Sequence, residues 1–450
     1  MAPATSEKLK RPAWMRNDPL LTQIGLDELN NRGYINLHDA SIDLSFRNCS
    51  DDEIHPLFQR GRWSQKDLAT MDFDALRPTL RLASRLLQCN TSIYYLSAIL
   101  DQANYGTIDP KYLRPESNPN WFRVPDNLST EKKLATRAAL DDLVTRTTWQ
   151  LLDSKVYPDI AGMTRLHWVP VDPPIVGMPQ IRTTKLYLAS IFIDILCRGV
   201  SPASFAVEWT PGTDAESARL RYSLVCAIAL VHEVMHAFWN VRGEYPEEGI
   251  LTEGPPEPFY MDTRIAELGF QWQTLVLGGE FYGILEPFIF PYGARTSRWP
   301  GPTELAERKH TELRMSLRKY GHVRNWQTRY AVSMDWVRSL FTDAFWKEIE
   351  RNGDGGLKIQ RKLGARRKLD NESQWLEGEE QVPYEFIESP TSVLSNEDEE
   401  DCQGLGIVDR YDGGEKWHMT KNDWERHGSE TDPPASSLIS DFDHGIEELE

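Results

Sequence analysis

The sequence predicts an α+β fold, mostly helical with a small sheet, and three observations lead there. The stretch from about 213 to 240 is apolar on nearly all sides, so it reads as a helix buried in the middle of a domain. Residues 163–169 and 184–188 carry the β-branched and aromatic content of short strands, with Asp172-Pro173-Pro174 and Gly177-Met178-Pro179 as loop punctuation between them. Most of the remaining apolar residues up to about 350 recur at helical spacing.

In chain order, residues 1–70 are polar and rich in turn residues and read as an irregular N-terminal arm. From Phe73 to about Asp101 the spacing of Leu76, Leu80, Leu86, Leu87, Leu96 and Ile99 predicts helix, with a break near Cys89-Asn90-Thr91. A second helix is expected from Thr130 to Leu152, capped around Ser129. The strands come next, then a short helix over Ser190–Cys197 and a strand over Ala203–Thr210. The long helix opens at Thr213-Asp214-Ala215-Glu216 and runs to about Asn240. Beyond an acidic, Gly/Pro-rich loop over 241–258, helical spacing returns from Phe259 to Leu277 and stops at Gly278-Gly279. Helices are also expected over Glu304–Lys319 and Asn325–Glu350. The resulting division is an arm over 1–70, a domain over 71–350 with its core at about 130–290, and an acidic, mostly disordered tail over 351–450.

Composition narrows the function classes. Of the formal net charge of −18, residues 351–450 supply 25 acidic against 11 basic side chains, an excess of 14, so the folded part is close to neutral. With no basic stripe on the folded part, duplex DNA is a poor candidate partner. The basic run KIQRKLGARRK beside the tail reads as solvated, with an anion-binding or nuclear-import role as the alternative. No stretch reaches the ~18 uninterrupted apolar residues of a membrane span; the longest candidates, Leu186–Leu196 and Leu224–Val231, are too short. The N-terminus lacks the apolar region of a secretory signal, so the chain reads as intracellular, cytoplasmic or nuclear. The five cysteines are scattered and never in CxxC spacing, which points neither to a disulfide framework nor to a cysteine metal site.

The chemistry sits in Leu230-Val231-His232-Glu233-Val234-Met235-His236-Ala237-Phe238. Positions four apart on a helix differ by roughly 40° in direction and ~6 Å in rise, so His232 and His236 can aim their imidazoles at one ion. Glu233, about 100° around from His232, can reach a water at that ion without being a ligand. A chance HExxH in a chain of this composition is expected at roughly the two per cent level. The apolar context argues against chance: three ionisable side chains inside a buried helix are costly unless a cation offsets them.

With Ala229, Val234 and Phe238 at the flanking small or apolar positions, the segment resembles the HExxH zinc metallopeptidases of the zincin class. The extended HExxHxxGxxH pattern is not met, because Trp239 and Arg242 stand where its Gly and third His would be. The gluzincin arrangement remains, which implies a third ligand from a Glu on a following helix. The likeness covers about residues 130–290 and implies a zincin-like fold with the small sheet packed on the HExxH helix. Glu267, in Arg264-Ile265-Ala266-Glu267-Leu268-Gly269-Phe270, is the expected ligand; Glu253, Glu257 and Asp262 compete with it. The pair HE-x-M-H-A and E-L-G-F is also similar to a group of fungal proteins that carries no substrate assignment.

The resemblance therefore implies zinc held by His232, His236 and Glu267, with Glu233 as catalytic base, in a hydrolase acting on the amide bonds of a peptide. Two alternatives stay open: a zincin-fold enzyme hydrolysing a small molecule, and a non-catalytic protein that uses zinc for structure or partner binding. A structural zinc site is closed by four protein ligands, so a free Glu233 beside the site counts against the second. Tyr260, Tyr282 and Arg264 are candidate oxyanion stabilisers, with packing or a salt bridge the plainer role. Trp239, Phe270 and Trp272 read as core.

Overall fold

A computed structural model describes residues 19–37, 49–107, 117–157, 160–175, 178–198, 214–242, 255–260, 263, 265–283, 293–297, 299, 326–368 and 385–388. Among them, helices and three small sheets make a mixed α+β architecture. The helices are α1 (Pro19–Gln23), α2 (Leu26–Asn31), α3 (Gln65–Leu68), α4 (Phe73–Gln88), α5 (Asn90–Leu100), α6 (Thr130–Thr145), α7 (Ser190–Arg198), α8 (Ala215–Arg242), α9 (Leu268–Leu277), α10 (Met334–Ser339) and α11 (Asp343–Asn352). The strands are β1 (Tyr105–Thr107), β2 (Asn120–Phe122), β3 (Thr147–Leu152), β4 (Gly162–Ile175), β5 (Met178–Ala189), β6 (Phe259–Tyr260), β7 (Glu280–Gly283), β8 (Ala294–Ser297), β9 (Trp326–Val332), β10 (Leu363–Lys368) and β11 (Glu385–Glu388).

Helix α8 is the central helix among the described residues. Asp214 starts it, its carboxylate accepting from the Ser217 N–H at 2.7 Å, and from Leu220 to Val231 every residue is buried. Burying each Leu, Val or Phe side chain contributes roughly 1.5–3 kcal/mol, which is why this helix is the core rather than a surface element. By length and composition α8 could cross a membrane, contrary to the sequence estimate, yet 89% of its most apolar window is buried inside the protein. Helices α4, α7 and α9 and strands β4 and β5 pack around it.

In the sheet beside α8, β5 is central, parallel to β3 and antiparallel to β4, so β4 is an edge strand. Strands β7 to β11 form a second, antiparallel sheet in the order β11-β10-β9-β8-β7. The third sheet, β1-β2-β6, fixes Phe259-Tyr260 immediately after Glu257-Pro258.

Several sequence expectations are corrected. The helix expected over Thr130–Leu152 ends at Thr145, because Thr147–Leu152 pairs with β5 and buries Trp149. The helix expected over Asn325–Glu350 is a strand as far as Val332 and then two short helices; ladder partners on both sides of β9 override its helical spacing. The arm is not irregular throughout: α1 and α2 bury Leu20, Leu21 and Leu29 with Ala331, Leu363 and Ala365. The buried Arg221 of α8 donates to the Ile35 carbonyl.

The tail boundary at 351 does not hold either. Leu357, Ile359, Leu363 and Ala365 are buried, and the LGARRK half of the basic run forms β10, hydrogen-bonded on both edges. The expected elements over 203–210 and 304–319, and the chain beyond 388, lie outside the described residues.

Candidate metal centre

His232 and His236 project from one face of α8, their ring centroids 4.9 Å apart. Their Nε2 atoms converge on one oxygen, Glu267 Oε1, at 2.9 Å and 3.0 Å. The structure thus brings together the three residues expected as ligands, and one candidate ligand atom from each lies within 4.8 Å of the others. Tetrahedral zinc with bonds of ~2.0–2.1 Å would hold such atoms about 3.3 Å apart, a few tenths of an ångström wider than the two nitrogen–oxygen separations. Two imidazoles and one carboxylate also form a donor set that zinc accepts, with one position left over. The residues fit the ion.

Glu267 is not within a helix, as its spacing suggested, but is the N-cap of α9 in extended conformation, accepting from the Phe270 N–H through its other oxygen. A cap is well suited to ligation. The backbone of α9 fixes the carboxylate on one side, leaving Oε1 to face the imidazoles. Burial would raise the Glu267 pKa, but His232 and His236 hold it well below the usual carboxylate range. His236 is the converse case: burial opposes its charge, and the Glu257 and Glu267 carboxylates overcome this and hold its pKa well above the ordinary histidine value.

The Nδ1 atoms are occupied on the far side. Glu257 Oε1 is hydrogen-bonded to His236 Nδ1, while its other oxygen accepts from the Leu268 N–H at 2.8 Å. Glu257, weighed from sequence as a rival ligand, stands behind His236 and is bonded to its Nδ1. Gln273, on α9, approaches His232 Nδ1 with its Nε2 at 3.1 Å. With both Nδ1 atoms engaged, both Nε2 atoms are aimed at the centre. Glu253, Asp262 and Arg264 lie outside the described residues.

Glu233 is buried beside this centre, and burial raises its pKa against the opposing charges of His232 and His236. Strand β4 holds it. Thr164 Oγ1 lies 2.7 Å from Glu233 Oε2 and 3.1 Å from its carbonyl oxygen, and its one proton serves the carboxylate best. A Cβ on Gly162 would come within 2.7 Å of Glu233 Oε1, and one on Gly269 within 2.3 Å of the His232 ring. Both glycines let backbone lie directly against a site residue.

Gly162, Thr164, Gly269 and Gln273 were not singled out from sequence. Gly269 alone left a signal, as a glycine inside an expected helix beside the candidate ligand. Of the candidate oxyanion stabilisers, Tyr260 packs on Tyr95 and Phe122, with ring centroids 6.1 Å and 5.6 Å away, and Tyr282 lies 6.2 Å from Phe270 with Arg295 over its ring. Trp239 and Trp272 are buried, and the half-buried Phe270 stands edge-on to His232 at 4.8 Å.

No family model matches this sequence, no curated protein matches it, and no solved structure matches it.

Proposed function

We propose that this chain is a zinc-dependent hydrolase of zincin-like, gluzincin-type architecture, most simply a peptidase. The observation that carries the reading is the convergence of both Nε2 atoms on Glu267 while both Nδ1 atoms are held from behind. His232, His236 and Glu267 would hold the ion. When bound, zinc supplies the Lewis acidity that polarises a carbonyl and eases deprotonation of water.

The remaining work falls to the protein. Glu233 takes the proton of the attacking water and returns it to the leaving amine, and its raised pKa brings a carboxylate closer to the neutral range that such proton traffic needs. Thr164 and Gly162 fix the direction of that carboxylate, so little reorganisation is required when the proton moves. Because α8 is rigid and buried, both imidazoles and the base keep their spacing throughout.

The test is Glu233→Gln, which keeps the shape and removes the base. The variant is expected to retain about one zinc per chain and to lose cleavage of a peptide library that the wild type cuts. Cleavage at the wild-type rate would sink the assignment of Glu233.

A further inference from the structure

The two imidazoles are held from behind by different chemistry. His236 Nδ1 meets the Glu257 carboxylate, which only accepts, so this nitrogen carries a proton and can keep it while Nε2 ligates. His232 Nδ1 meets Gln273, whose carboxamide has one end that donates and one that accepts. Which end faces the ring is fixed from β7: the Phe281 N–H can only donate, and it donates to Gln273 Oε1 at 3.3 Å. The NH2 end is left for His232, at 3.1 Å. His232 Nδ1 must then accept, its proton sits on Nε2, and Nε2 donates it to Glu267 Oε1 at 2.9 Å. That tautomer has no free lone pair on Nε2.

We propose that Gln273 is a positioning residue that couples metal loading to strand β7. For the site to fill, the His232 proton must move to Nδ1, and the Gln273 carboxamide must turn over so that its oxygen accepts it. The Phe281 N–H then gives up its acceptor. Gln273 is buried, so no bulk water is at hand to take either role. This inference rests on the zinc reading and adds to it a strand whose hydrogen bonding reports whether the site is filled.

The test uses the full chain as wild type, Gln273→Glu and Gln273→Leu. A glutamate keeps the shape and accepts from both neighbours, so it presets His232 in the ligating tautomer without any turn. Three quantities are read: zinc affinity by chelator competition, the His232 ring 15N shifts, and hydrogen exchange at the Phe281 amide. In the metal-free wild type the shifts should report a protonated Nε2, changing to Nδ1 on zinc addition. Exchange at Phe281 should quicken several-fold with zinc while neighbouring amides slow. Gln273→Glu should bind zinc at least as tightly as wild type with no zinc response at Phe281, and Gln273→Leu should bind it about 10–100-fold more weakly. If Gln273→Leu does not fold, the Gln273→Glu comparison decides alone. A wild type that binds zinc with Phe281 exchange unchanged or slowed overturns the coupling and leaves the zinc reading standing. A wild type that binds no zinc overturns the zinc reading, and the coupling with it.

Discussion

Replacing Gly269 by Ala adds one methyl group at the second residue of α9, directly against a candidate metal ligand. The new Cβ would lie 2.3–2.4 Å from Cγ, Cδ2 and Cε1 of His232, whereas carbon atoms pack comfortably at about 3.5–4.0 Å. The ring or the helix end must therefore yield by roughly 1 Å. His232 has little room to retreat, since Gln273 sits behind its Nδ1 and Phe270 stands against its face. Metal ligands tolerate about ±0.2 Å. A 1 Å displacement should thus weaken zinc by at least ~100-fold, equivalent to ~2.7 kcal/mol. Stability of the metal-free chain should fall by less, ~0–2 kcal/mol, because an overpacking cost of about 1–3 kcal/mol is partly offset by the ~1 kcal/mol gained when Ala replaces Gly in a helix. The assay is chelator competition for zinc alongside denaturant unfolding, with Gly61→Ala, whose Cβ would meet nothing within 4 Å, as control. If Gly269→Ala binds zinc within threefold of the wild type, the placement of His232 against α9 is wrong.

Three further outcomes are expected. Glu257→Ala should reduce zinc affinity about 10–100-fold; an unchanged dissociation constant would show that His236 needs no support at Nδ1. Truncation at residue 355 should destabilise the fold by several kcal/mol, since it removes the buried Leu357, Ile359 and Leu363 at roughly 1.5–3 kcal/mol each; an unaltered melting temperature would contradict the packing of β10. His55 is buried with its pKa lowered from 6.5 to about 4 by desolvation, so the unfolded chain binds a proton that the folded one refuses throughout that interval. Its contribution is complete above pH 6.5 and falls by about 3 kcal/mol as pH drops to 4, and His55→Asn should flatten that part of the stability profile; parallel wild-type and mutant profiles would refute the assignment.

Much of the site was legible because its spacing is local. His232, Glu233 and His236 lie within five residues on a helix whose all-round apolarity announces burial, so direction and environment are read together. Glu267 could be reached because, of the acidic residues that follow, it stands among the apolar Ile265, Leu268 and Trp272 while Glu253 and Glu257 sit in a Pro-rich loop, although its position as a cap could not be read from periodicity. Glu257, Thr164 and Gln273 were beyond the sequence for a different reason: each is a common polar residue whose role exists only through contacts 21, 69 and 41 residues away. The same limit applied to the fold. Trp326–Val332 and Leu363–Lys368 become strands by pairing with each other, and neither shows that partnership on its own.

The central claim is one ion held by three named side chains. Zinc titration of the purified full-length chain, with X-ray absorption at the zinc edge, should give one site per chain with two imidazole nitrogens and one carboxylate oxygen at ~2.0–2.2 Å, and Glu267→Ala should lose the oxygen and at least tenfold in affinity. A wild type that takes up no zinc, or a Glu267→Ala variant with unchanged affinity and an unchanged ligand shell, would contradict it.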